Sequence, residues 1–262
     1  FTDAIYRTNQ AFEGSLKEAF RVLTAKDPDK ARPFDIEAFL QNNGILRPRL
    51  LEQMSRYRTE WRNPSTHDYK LDFDEDEALL AIVSVCAFAI ILTDQIAEKT
   101  SFDRAKASAK PEAGGKSKPL AELAADALLK FRFQPSGSQT GGSAREVEVV
   151  GAVAGYLEGV ISEAKISTEA PVGSDKRFVA DIVIDRNDER VLIEVKRTRF
   201  SQNIRGVAIS QVSHYVAISG IKEAVLFIYD DQGGELQRED YPLPGADARI
   251  VVIAPKRARR PS

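Results

Sequence analysis

The sequence predicts two unlike domains in tandem, a helical bundle followed by an α/β domain. Three observations predict this. Residues 1 to about 98 carry apolar side chains at helical spacing and little strand signal. From Ala144 onward, short apolar strands alternate with helices. Between them, residues 99–143 are rich in Ala, Lys, Gly, Ser and Pro, the composition of flexible connectors. The expected organisation is therefore a bundle over 1–98, a flexible linker with one short helix over 99–143, and an α/β domain over 144–262.

In the first domain, Ile5–Leu23 is expected as a helix, Ile36–Leu40 as a short one, and Leu46–Arg62 as a third. Pro64 ends the third, because the residue before proline avoids the helical region. Asp74–Glu98 is the fourth, with Asp74 as cap and Glu77 three residues on. Its uncharged run, Ala78–Thr93, falls short of the roughly 20 residues of a membrane span, so a buried central helix is expected. PLAELAADALLKFRF gives the connector its short amphipathic helix. In the second domain, Ala144–Glu163 and Arg205–Ser219 are expected helices. Lys165–Glu169, the hairpin from Val179 to Lys196, Ala224–Tyr229 and Ile250–Ala254 are expected strands.

With 262 residues, 43% hydrophobic and 29% charged, the composition is that of soluble globular protein. A net charge of −2 excludes global attraction to nucleic acid. One Cys and two His exclude a disulfide framework and a His/Cys zinc site. A reducing, cytoplasmic location without membrane association is expected, with no signal peptide. A start at Phe1 reads as a processed or trimmed chain.

The stretch VADIVIDRNDERVLIEVK carries the chemistry. Pairing its two strands around the turn Arg186-Asn187-Asp188-Glu189 sets Ile184 opposite Val191, Ile182 opposite Ile193 and Asp181 opposite Glu194. Opposed residues share a face. Ile182, Ile184, Val191, Ile193 and Val195 then face the core, and Asp181, Glu194 and Lys196 share the other side. Opposed carboxylates have Cβ atoms roughly 5 Å apart, and they repel unless a cation lies between them. Magnesium prefers such oxygens, and Lys196 could hold the attacking water or stabilise charge on a phosphate. A salt-bridged surface hairpin is the competing explanation. In the preceding helix, Glu146 lies one turn upstream on the stripe Val150, Val153, Leu157, Val160, whereas Glu148 points the opposite way. Arg197, Arg199 and Arg205 follow Lys196 as candidate phosphate contacts. Gln211 and Tyr215, four apart, share a helix face, and His214 points elsewhere.

Glu146, Asp181 and Glu194-Val195-Lys196, in that order, resemble the PD-(D/E)XK nuclease superfamily, the restriction-endonuclease-like fold. QVSHY resembles the Q-x-x-x-Y element of its RecB-like members, with Gln211 and Tyr215 matching; Ala180 replaces the motif's proline. The resemblance covers about residues 144–230. It implies magnesium-dependent (or manganese-dependent) phosphodiester hydrolysis, usually of DNA. Asp181 and Glu194 would hold metal, Glu146 would add a ligand directly or through water, Lys196 would position the nucleophilic water, and Gln211 would orient Lys196 or a phosphate. Tyr215 and the arginines would contact nucleic acid.

WRNPSTHD places Arg62, Asn63 and His67 between two helices, and an Arg and a His near one phosphate can cleave RNA without metal. This element, followed by a long apolar helix with an acidic start, resembles the R-x(4–6)-H motif of the HEPN superfamily over roughly residues 1–98. That resemblance implies a homodimer or larger assembly with a composite site, and in many members RNase activity. Together the two resemblances imply a nuclease of prokaryotic antiphage or foreign-DNA defence, acting on DNA and in some systems RNA, with partner proteins of that system. Two other functions stay open: a toxin-like RNase using Arg62 and His67 with a C-terminal domain that only grips nucleic acid, and a non-catalytic assembly subunit. The basic tail Lys256-Arg257-Ala258-Arg259-Arg260 is either a phosphate contact or a disordered terminus.

Overall fold

The computed structural model describes residues 1–43, 45–63, 73–111, 118–134, 145–174, 178–198, 204–230, 234–245 and 247–256. The chain forms two compact units, Phe1–Lys99 and Thr100–Ser262. N-terminal helices are followed by a six-stranded mixed sheet with its own helices.

In the first unit, α1 (Thr2–Thr24) buries Ile5, Phe12, Leu16, Ala19 and Phe20, a single helical stripe. It stops at Ala25, which takes a left-handed conformation (φ 56°). Helices α2 (Pro33–Asn42) and α3 (Pro48–Tyr57) each begin with proline, where a missing N–H costs nothing. A π-type turn over Arg58–Arg62 extends α3. Pro64 and His67 lie outside the described residues. Helix α4 (Glu75–Ser108) opens with the expected reciprocal cap. The Asp74 amide donates to Glu77 (3.0 Å), and the Glu77 amide donates to Asp74 (2.9 Å). Phe12 stacks between Tyr57 (4.7 Å) and Phe88 (5.0 Å), joining α1, α3 and α4.

The fourth helix departs from expectation twice. It continues ten residues beyond Glu98, to Ser108. It is also not buried all round. Ala78, Ala81, Val85, Phe88 and Leu92 enter the core, while Leu79, Leu80, Ile82, Val83 and Ile90 are exposed. By length and composition its 34 residues could cross a membrane, although its inner face is part of the bundle core.

The second unit is built on a sheet of order β1-β2-β3-β4-β6-β5. Its strands are β1 (Lys165–Pro171), β2 (Val179–Arg186), β3 (Glu189–Arg197), β4 (Glu223–Tyr229), β5 (Leu236–Pro242) and β6 (Arg249–Pro255). β3, β4 and β6 run parallel, and the other pairings are antiparallel. The hairpin has the expected register, Ile182 opposite Ile193 and Ile184 opposite Val191. Its turn is tighter than expected. Arg186 and Glu189 pair, leaving only Asn187-Asp188, with Asn187 at φ 53° as two-residue turns require. Strand β5 was not expected, because LQREDYP lacks an apolar alternation; it is an edge strand, and edges tolerate charge.

One sheet face, Ile182, Ile184, Ile193, Val195, Phe227 and Ile253 among others, packs on α5 (Leu120–Lys130) and α6 (Glu146–Val160). The other packs on α7 (Ile204–Ser219) through Ala208, Val212, Tyr215 and Val216. The segment 99–143 is thus not simply a linker. α5 is buried core, with Leu120, Ala124 and Leu128 fully covered. Its amphipathic stripe needs a partner, and the sheet supplies one. Polar contacts pin it there: the Leu120 amide donates to Glu189 (3.0 Å), and Arg186 donates to the Lys118 carbonyl (2.7 Å). Residues at the end of α4 pack on α6 so closely that a Cβ at Gly155 would lie 2.1 Å from the Phe102 carbonyl oxygen. The linker residues 112–117 and 135–144 lie outside the described residues.

Candidate active site

Strand parity sets the site. β2 and β3 alternate apolar residues toward α5 and α6 with Asp181, Glu194 and Lys196 on the side of α7. Asp181 is half-buried, and its Oδ2 accepts the Val195 amide at 2.8 Å. Glu194 is 1% exposed. Its Oε1 accepts from Lys196 Nζ (2.6 Å) and Gln211 Nε2 (2.8 Å). Its Oε2 is buried with no hydrogen-bond partner. An orphaned carboxylate oxygen in low dielectric is costly, so the group is short of a donor or a cation.

The electrostatics show the same shortage. Burial, and then repulsion from Glu194, push the Asp181 carboxyl up to about 7 from the ordinary 3.8. Burial also raises Glu194, although Lys196 and the Asp181 backbone amide work against it. Burial opposes the Lys196 ammonium, but Glu194, Asp181 and Glu146 outweigh it and hold its pKa above the usual lysine value. One ammonium does not neutralise two buried carboxylates.

Other residues fall differently from expectation. Glu146 is the first residue of α6 and is exposed, not a core-facing member of the stripe. Helix α6 begins there, so its side chain splays from the first turn. It reaches the site as a field on Asp181, Glu194 and Lys196. Among the described residues no three His, Cys, Asp or Glu side chains group closely enough to hold a metal ion. Glu148 instead caps α6, accepting the Arg145 amide at 2.9 Å. Gln211 binds Glu194 and not Lys196, and donates also to the Tyr215 hydroxyl at 2.9 Å. Tyr215 is 8% exposed and packed in the α7 core, so it offers little surface to nucleic acid. His214 is exposed and meets the Phe178 ring edge-on at 5.0 Å.

Of the three arginines, Arg197 and Arg205 are described, and each is engaged elsewhere than beside Lys196. Arg197 has the opposite strand parity and is buried. Arg205 is ion-paired with Glu239 and donates to the Tyr241 hydroxyl at 3.1 Å. Neither partner was legible, because both come from the unexpected β5. Arg199 and Arg257–Arg260 lie outside the described residues.

In the helical unit, Arg62 is ion-paired with Glu13 of α1 at 3.3 Å and reaches Asn63 Oδ1 at 3.4 Å. Fully buried Glu37 receives Arg58 at 3.4 Å, and burial raises its pKa against the pull of Arg62 and Arg58. Spacing gave no sign of these two acids, which arrive from α1 and α2. No protein-family model and no curated protein matches this chain.

Proposed function

We propose that the second unit is a metal-dependent nuclease of the PD-(D/E)XK type, an endonuclease acting on DNA in prokaryotic defence against phage or foreign DNA. The observation that carries this reading is the buried, unpartnered Glu194 Oε2 beside Asp181, with a lysine on the same face. Two carboxylates suffice for magnesium, which keeps several waters and is bound through one or two acids plus substrate phosphate. The donor set therefore fits the ion, with Asp181 and Glu194 as its holders and Glu146 adding negative field from farther out. When bound, the ion would supply hydroxide near neutral pH and stabilise charge on the phosphorane.

The side chains divide the remaining work. Lys196 carries a persistent positive charge on the face where the phosphodiester would lie, and so orients a water and offsets developing oxyanion charge. Gln211 fixes the Glu194 carboxylate from the α7 side, leaving its inner oxygen turned inward. The Val195 amide fixes Asp181 in the same way. The site thus has its orientation built before substrate arrives.

The test is a cleavage panel of duplex DNA, single-stranded DNA and RNA, with magnesium or with EDTA, on the full chain and on Asp181→Ala and Lys196→Ala. Magnesium-dependent DNA cutting that both variants lose is expected. Undiminished cutting by either variant, or DNA cleavage that persists in EDTA, would overturn the reading.

A further inference from the structure

Beside the candidate site lies an aromatic cluster that the phosphodiester chemistry leaves unused. Gln211 Nε2 links Glu194 to the Tyr215 hydroxyl. The Phe178 ring lies 6.4 Å from the Tyr215 ring and 5.0 Å from the His214 ring, whose plane is inclined to it by 70°. Tyr215 is buried, Phe178 half-buried and His214 exposed, so the cluster runs from core to solvent. Phe178 immediately precedes β2, and its carbonyl accepts the Val172 amide at 2.8 Å, which fixes the backbone there. Three extended residues separate it from Asp181, a distance of about 10 Å along the strand. It therefore stands at the end of β2 that carries the site. Core packing accounts for Tyr215 and for the inner edge of Phe178, and it leaves the imidazole in water.

The charges near the site favour an uncharged contact. The chain carries −2 overall. Lys196, Arg205 and Arg145 are each ion-paired with a carboxylate, respectively Glu194, Glu239 and Glu148. A duplex is held mainly through its phosphates by several Lys and Arg. Stacking on aromatic rings needs no such charge, but it requires a base that is unpaired or turned out of the helix.

We infer that Phe178 and His214 stack an unpaired base flanking the scissile phosphate, so that the site takes single-stranded DNA in preference to duplex. The position of that phosphate rests on the nuclease reading, whereas the ring cluster stands apart from it. A base lying flat on one ring meets the other edge-on, and both arrangements are favoured between aromatic groups. Tyr215, buried behind the pair, holds Phe178 in place and does not touch the strand.

The test measures binding by the full chain in EDTA at fixed salt, where the metal-dependent chemistry is off. The probes are a fluorescent oligo-dT strand, an abasic strand of the same length, and the dT strand paired with oligo-dA. The abasic strand keeps every phosphate and loses every base. Oligo-dT is expected to bind about 5–150-fold more tightly than the abasic strand, and more tightly than the duplex. His214→Ala, at an exposed position, should bring the ratio of dT to abasic affinity toward one. Phe178→Leu, which keeps an apolar side chain against Tyr215, should do the same. His214→Phe restores a ring and should keep the ratio, an order that packing or charge alone would not produce. Should Phe178→Leu lower the melting temperature, His214→Ala decides alone. Equal affinity for the two strands, no binding of either, or a preference for duplex would overturn the inference. So would a ratio that survives His214→Ala. If the ratio behaves as expected but no strand is cut in magnesium, the nuclease reading falls and the stacking site stands.

Discussion

The Gln211 amide nitrogen lies 2.8 Å from Glu194 Oε1 and 2.9 Å from the Tyr215 hydroxyl. One helix thereby grips a carboxylate that belongs to the sheet. Residues four apart on α7 present both groups to β3, and Tyr215 is itself fixed by the apolar core around it.

Gln211→Ala should therefore loosen Glu194 without removing a candidate ligand. The expected result is a 10–100-fold loss in magnesium affinity, the range for partners that orient metal ligands. Metal-dependent shifts in melting temperature would measure it apart from turnover. Tyr215→Phe should have a smaller effect in the same direction. Equal affinity in wild type and Gln211→Ala would show that the contact does not orient the carboxylate.

Asp181 sets a pH dependence in metal-free protein. Its pKa rises from 3.8 unfolded to about 7 folded, so the folded state holds the proton more tightly. Stability from this group is fully present below about pH 4 and is lost as pH rises through 7. Asp181→Asn should flatten that decline and stabilise the metal-free protein at pH 8, by on the order of 1–3 kcal/mol. Denaturant titrations at pH 5 and pH 8 would read it. Magnesium should stabilise the wild type at pH 8 and leave Asp181→Asn nearly unaffected.

Glu122 behaves with the opposite sign. Hydrogen bonds from Arg238 (2.5 and 2.9 Å) and Arg249 (2.6 Å) hold its carboxyl down to about 2. Its contribution is present above about pH 4.5 and is lost as pH falls toward 2. Because these contacts tie α5 to β5 and β6, Glu122→Gln should destabilise the second unit by roughly 1–3 kcal/mol at neutral pH. An unchanged urea midpoint would contradict this.

Two glycine substitutions should differ in sign. Gly155→Ala puts a methyl 2.1 Å from backbone oxygen in a packed helix crossing, and overpacking of this kind costs about 1–3 kcal/mol or more. Gly14→Ala, with nothing within 4 Å in the middle of α1, should stabilise by about 0.5–1 kcal/mol. Thermal melts of both variants would check the contrast.

The amino-acid sequence by itself determined the local structure and the parity of the hairpin. Apolar residues at every second position allow only one register that buries them, and this puts Asp181, Glu194 and Lys196 on the opposite side. The Asp74–Glu77 cap and the Gln211–Tyr215 pair were legible for the same reason, since short spacing fixes who meets whom. Tertiary structure alone decided that α5 is core, that Glu239 takes Arg205, that Glu13 takes Arg62, and that Glu146 stays in solvent. Those outcomes join residues far apart in the chain, and one-dimensional spacing carries no information about which buried faces will be pressed together.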